Sequence, residues 1–136
     1  MTPSNTQTLL STHPQLFRSL REFGFECDDG WFGLLARLFA DIDAQARLEG
    51  LTPDSADWPE VVIVKQKTGS LRVSFGYDSS RDTPGKEVSD AIRHLVETAS
   101  ELSATLCEQC GAPGRSVQTH PKRPWLKTCC LACHPD

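Results

Sequence analysis

Apolar positions along the chain recur at two periods, and the changes of period mark the elements. Leu16, Phe17, Leu20 and Phe23 follow Pro14 at helical spacing, which predicts a first helix capped by Thr12 and ended by Gly24. Residues 1–12 ahead of it are expected to be a polar N-terminal segment. Cys27-Asp28-Asp29-Gly30 is a turn whose aspartates can cap a second helix. Trp31, Leu34, Leu35, Leu38 and Ile42 then form one stripe, closed by Gly50, while Arg37, Asp41, Asp43 and Arg47 fall on a solvated face. A loop is expected over residues 51–60, with Pro53, Pro59 and three acids.

The period then drops to two. Val61-Val62-Ile63-Val64 begins a strand, Thr68-Gly69-Ser70 turns it, and Leu71, Val73, Phe75 and Tyr77 alternate with polar residues on the way back. A hairpin is marginal alone, so its apolar face must lie on the helices or a further strand. After a polar loop over 78–86, Val88, Ile92, Leu95, Ala99, Leu102 and Leu106 predict a third helix that runs into Cys107. The expected core is Trp31, Leu35, Leu38, Leu71, Val73, Phe75, Leu95 and Leu102. The fold class is α+β: helices packed on a small antiparallel hairpin or sheet, with the paired turns Cys107-x2-Cys110 and Cys130-x2-Cys133 predicting a C-terminal zinc-ribbon- or treble-clef-like knuckle.

Composition bounds this picture without redrawing it. With 136 residues the chain is expected to be one domain, a body over 13–106 and a metal-binding tail over 107–136. No apolar run nears the roughly 20 residues of a membrane-spanning helix, and the first residues lack the pattern of a secretory signal. A cytoplasmic protein is the expectation.

Charge does change the picture, because it is uneven. The net charge of −4 divides into −6 over residues 1–106 and +2 over residues 107–136, where Arg115, Lys122, Arg123 and Lys127 face only Glu108 and Asp136. An acidic body disfavours general binding to a phosphate backbone. The four tail cations can touch nucleic acid locally, or they can offset the charge of a thiolate cluster.

Five of the six cysteines lie in the last thirty residues, a clustering that favours a metal site over a disulfide scaffold. Cys107 and Cys110 form a C-x2-C turn, and Cys130 and Cys133 repeat it after nineteen intervening residues. Each turn lets two thiolates converge, and Gly111 suits the dihedrals of the first. Cys107, Cys110, Cys130 and Cys133 are therefore the predicted ligands of a structural Zn2+. Cys129, at a three-residue gap from Cys133, and His134, next to Cys133, remain alternative ligands. Four thiolates leave no open coordination position, so the site is expected to hold structure and not to activate water. Cys27 is expected to be a structural thiol, since Asp28 and Asp29 beside it oppose ionisation.

No catalytic constellation accompanies the metal site, and the chain is expected not to be an enzyme. His13, His94, His120 and His134 are scattered, and there is no phosphate loop, dinucleotide fingerprint or nucleophile elbow. A zinc-stapled His-Asn-His nuclease is disfavoured because Asn5 is the sole asparagine.

Four blocks give the chain a resemblance. They are residues 23–31 (FGFECDDGW), 65–73 (KQKTGSLRV), 107–114 (CEQCGAPG) and 125–130 (WLKTCC). In this order they resemble a group of short, mostly uncharacterised bacterial and phage-associated proteins with a C-terminal paired C-x2-C zinc motif. The resemblance implies leucine as the usual residue at position 129, which favours Cys130 as the ligand, and it implies no activity. Two functions are left. The first is an inhibitor that binds a protein, such as a toxin immunity protein or an antagonist of a defence enzyme with a basic cleft. It would use Asp28, Asp29, Asp54, Asp57, Glu60, Asp78 and Asp82. The second is a nucleic-acid-binding regulator using the basic tail, with Trp125 as a stacking residue.

Overall fold

Thr2-Pro3 starts a helix that the hydrophobic pattern conceals. In the computed structural model, which describes residues 1–22, 24–78, 83–84 and 88–134, α1 spans Pro3–Thr12. The Thr2 hydroxyl accepts from the Asn5 amide, and Pro3 supplies a first turn that needs no amide hydrogen. Most of the expected polar segment over 1–12 is thus helical, with Leu9 its buried contact.

The helix expected over 13–24 does not form. Pro14 disfavours a helical His13, which ends α1 at φ −133°. Isolated turns follow, such as Leu16 N–H to His13 O at 3.1 Å and Leu20 N–H to Phe17 O at 3.1 Å. This stretch lends its other backbone groups to a strand: Val61 N–H donates to Leu16 O at 2.8 Å and Arg21 N–H to Val62 O at 3.1 Å. Leu16 and Phe17 are buried as their spacing suggested, though from turns, while Phe23 lies outside the described residues.

The second helix and the hairpin form as expected, but without the expected aspartate cap: the Asp28 side chain caps neither helical turn, and Asp29 accepts from Thr2 and Asn5 instead. A one-turn 3-10 helix, Asp29–Trp31, leads into α2, Phe32–Leu48. Strands β2 (Val61–Lys67) and β3 (Ser70–Phe75) pair antiparallel, with Lys65 opposite Arg72 and Val64 opposite Val73. Thr68 at φ 52° and Gly69 at φ 85° make the turn, the two positive angles a two-residue hairpin loop requires. The further strand is β1, Phe25–Glu26, which adds to β2 in parallel and gives the order β1-β2-β3. Two short strands, β4 (Tyr77–Asp78) and β5 (Thr83–Pro84), pair within the expected polar loop, whose Asp82 lies outside the described residues.

Helix α3, Asp90–Ser103, stops short of the cysteines, and two turns over Thr105 and Leu106 carry the chain to Cys107. Its core contacts are Ile92, Ala99 and Ser103. Leu102 is 49% exposed, contrary to its expected place in the core. Ser103 occupies the inward position instead: its hydroxyl donates to Ser100 O at 2.6 Å and accepts from Leu71 N–H at 2.8 Å, so a buried polar side chain ties α3 to β3. Trp31, Leu35, Leu38, Ile42 and Leu71 are buried as expected, and Val73, Phe75 and Leu95 pack half-buried at the margin. Phe17 meets Phe25 and Phe39 edge-on at 5.2 and 4.8 Å. No helix among the described residues is long and apolar enough to cross a membrane.

Candidate metal centre

The first cysteine pair sits in a tight turn built by backbone bonds. Cys107 N–H donates to Ala112 O at 2.7 Å and Gly111 N–H to Cys107 O at 2.8 Å, with Gly111 at φ 80°. The chain then forms an antiparallel hairpin, β6 (Arg115–Gln118) and β7 (Leu126–Cys129). Past β7, His134 N–H returns to Cys130 O at 3.0 Å, a single turn that presents Cys130 and Cys133. Turn, hairpin and second turn give the treble-clef-like knuckle its order.

The sulfurs of Cys107, Cys110, Cys130 and Cys133 all lie within 4.8 Å of one another, with Cys110 and Cys130 at 3.6 Å. A tetrahedral ion with metal–sulfur bonds of about 2.3 Å implies sulfur–sulfur edges of about 3.8 Å, so the donor set fits a metal of that geometry. Burial raises the Cys107 thiol, but backbone N–H groups of Cys130, Cys110 and Gln109 outweigh it and bring the pKa down to about 6. Cys133 is pushed up to about 12 by the sulfurs of Cys130, Cys110 and Cys107. A cation among the sulfurs would remove this opposition and let all four ionise.

The two alternative ligands stay out of the cluster. Cys129 is 3% exposed, packed with Val117, and its thiol is raised by burial and then by Cys107. His134 is not among the converging donors, and its Nδ1 is buried without a hydrogen-bond partner. Cys27 is pushed up to about 12, first by burial, then by Glu108, with smaller contributions from Asp28 and Asp29. It is a thiol at neutral pH.

What the sequence did not reveal is how the knuckle grips the body. Gly30 N–H donates to Glu108 O at 2.7 Å, and a β-carbon on Gly30 would collide with the carbonyl oxygens of Cys107 and Glu108. A β-carbon on Gly111 would in turn stand 3.0 Å from Gly30 O. Beside this contact the Trp31 indole donates to Leu106 O at 3.0 Å. Glu108 is 2% exposed; its Oε1 accepts from Asp28 N–H at 3.1 Å. Burial raises the Glu108 carboxyl, and Lys127, paired with Asp28 at 2.8 Å, opposes that rise. On the other flank the Thr128 hydroxyl donates to Gly69 O at 2.6 Å, so the β2–β3 turn docks on the knuckle hairpin. The segments around Gly30 and Cys107 thus interlock, as do those around Gly69 and Thr128.

The outer surface of the knuckle is basic and aromatic. Trp125 is 53% exposed, with the Arg123 guanidinium 4.9 Å from its ring centre and His120 edge-on at 5.5 Å. It lines a shallow cleft of about 400 Å³ with Gln66, Lys67, Thr68, Pro124 and Leu126. Several of the acids expected to meet a partner are engaged within the chain. Asp28 holds Lys127, Asp29 accepts from Thr2 N–H and Asn5 Nδ2, and Glu60 pairs with Arg18 at 3.4 Å. Asp54 and Asp57 remain exposed.

Among known proteins, no family model, no curated sequence and no solved structure matches the chain. Fold and site define it as an α+β protein whose C-terminal knuckle gathers four cysteines that can hold a metal ion.

Proposed function

We propose that the chain is a zinc-stapled binding module that acts by occupying a partner without turning over a substrate, and that the partner is nucleic acid. Zinc suits four thiolates in tetrahedral array, and a closed sulfur shell leaves no place for a reacting water. One observation carries the choice of partner: the fold collects cations that the linear sequence separates. Residues 61–76 hold Lys65, Lys67 and Arg72 and no acid, and residues 109–134 hold Arg115, Lys122, Arg123 and Lys127 and no acid. The docking of the β2–β3 turn on β7 places these stretches side by side, with Trp125 exposed between Lys67 and Arg123. The net −6 of the body therefore does not describe this end. Nor is the surface spent on the thiolates: Lys127 is committed to Asp28, but Lys122 and Arg123 form no ion pair among the described residues.

The second reading, an immunity protein or defence antagonist filling a basic enzyme cleft, retains Asp54 and Asp57 on the loop after α2. A salt titration separates the two. Binding to labelled oligonucleotides should weaken with salt by a log–log slope near 0.7–0.9 per phosphate neutralised. No oligonucleotide binding at low salt, together with salt-sensitive capture of a basic protein, would transfer the function to the second reading.

A further inference from the structure

Resting on the nucleic-acid reading, we infer that the cleft between the β2–β3 turn and the β6–β7 hairpin binds a single-stranded polynucleotide, stacking a base on Trp125. Stacking needs a base that has left its helix, because in a duplex the ring faces are already covered by neighbours. Trp125 supplies the platform. Roughly half of it is open to solvent. Trp31 and Trp58, by contrast, are 0% and 1% exposed. The Arg123 guanidinium lies 4.9 Å over one face of the indole and adds positive charge there, so a base would stack on the opposite face.

The strand has a track. Lys67 lines the cleft, and Lys65 and Arg72 lie opposite each other on the outward face of the hairpin, two residues along from Lys67. Glu26 flanks Lys65 from β1, so Lys67 and Arg72 carry most of the attraction. Gln66 borders the same cleft; its Oε1 is taken by Gly69 N–H, which leaves its amide hydrogens for a base edge. No α-helix lines this cleft to enter a major groove. The surface offers stacking, a few cations and one amide, which is how single strands are held with little sequence preference.

Fluorescence of the metal-loaded protein tests this directly, since Trp125 is the exposed tryptophan. Titration with oligomers of about twelve nucleotides, in DNA and in RNA, should quench it, and either single strand should bind at least roughly ten times more tightly than the matching duplex. Trp125→Ala should weaken binding roughly 5- to 150-fold, the range for losing one stacked base, while Trp125→Phe keeps most of it. Lys67→Glu with Arg72→Glu should weaken it further and flatten the salt dependence. Unchanged metal content and melting would show that these variants remain folded. Equal or tighter binding of duplex, or full affinity in Trp125→Ala, would overturn the single-strand site and leave the nucleic-acid reading standing. No binding of any oligomer at low salt would overturn that reading itself.

Discussion

Gly30 is the residue on which most depends for its size. Its φ is not the constraint; the space is, because the backbone of Cys107 and Glu108 passes where a side chain would begin. Gly30→Ala should destabilise the protein by about 1–3 kcal/mol, the usual cost of overpacking, and weaken metal retention as well. Gly33→Ala, three residues on, has open space at its β-carbon and should leave both unchanged or slightly improved in thermal melts and metal assays. Asp29 offers a test by pH. The Thr2 backbone N–H first, and the Asn5 amide after it, hold its carboxyl below the ordinary 3.8. A depressed acid stabilises the fold above its unfolded pKa, and that contribution is lost as pH falls through the folded value. The start of α1 should therefore stay docked at neutral pH and loosen only below about pH 4, seen as faster amide exchange in residues 2–6. Asp29→Asn should loosen it at every pH.

Elements were legible where their signal is local. The α2 stripe, the Thr68-Gly69 turn and the two C-x2-C pairs each declare themselves within a few residues, and the structure places them accordingly. Elements defined by distant partners were not. Leu16, Phe17 and Leu20 have helical spacing, yet the stretch that holds them serves β2, more than forty residues away, through the Leu16 carbonyl and the Arg21 amide, and β1 is two residues that become a strand only beside Val64 and Lys65. Helix α1 had its Thr-Pro start in plain view but only Leu9 to bury fully and Leu10 in part, so hydrophobic periodicity passed over it. The inner face of α3 was misassigned near its end for a similar reason: Ser103 is buried through a bond to Leu71, which composition does not advertise. Paired truncations check the corrected face. Leu38→Ala should cost about 2–5 kcal/mol in denaturant unfolding, whereas Leu102→Ala should cost much less, since the half-exposed side chain leaves little cavity.

At the scale of the whole molecule, a metal bound at the four sulfurs would share one equilibrium with the fold. Protein purified without added zinc should carry about one equivalent, and Cys107→Ser or Cys130→Ser should release it, because metal binding and folding are coupled. The consequence should reach beyond the tail: the Trp31–Leu106 bond and the Gly30–Glu108 contact join the knuckle to the start of α2. Chelation should therefore speed amide exchange at residues 28–31 as well as in β6 and β7. Exchange changes confined to 107–134 would show that the body stands without its knuckle.

The interlock also sets an order of events during synthesis. The turn at residues 28–31 emerges from the ribosome early, yet the groups that complete it, Leu106 O and the Glu108 carboxylate, are 75 and 80 residues further along. Until they arrive, the Trp31 indole and the amides of Asp28 and Gly30 lack their partners, and contacts of such sequence separation form slowly. The growing chain therefore waits with the turn ahead of α2 unfinished. A metal held by Cys107, Cys110, Cys130 and Cys133 would fix the knuckle only after Cys133 has emerged, and would then hold Leu106 and Glu108 against the turn they complete.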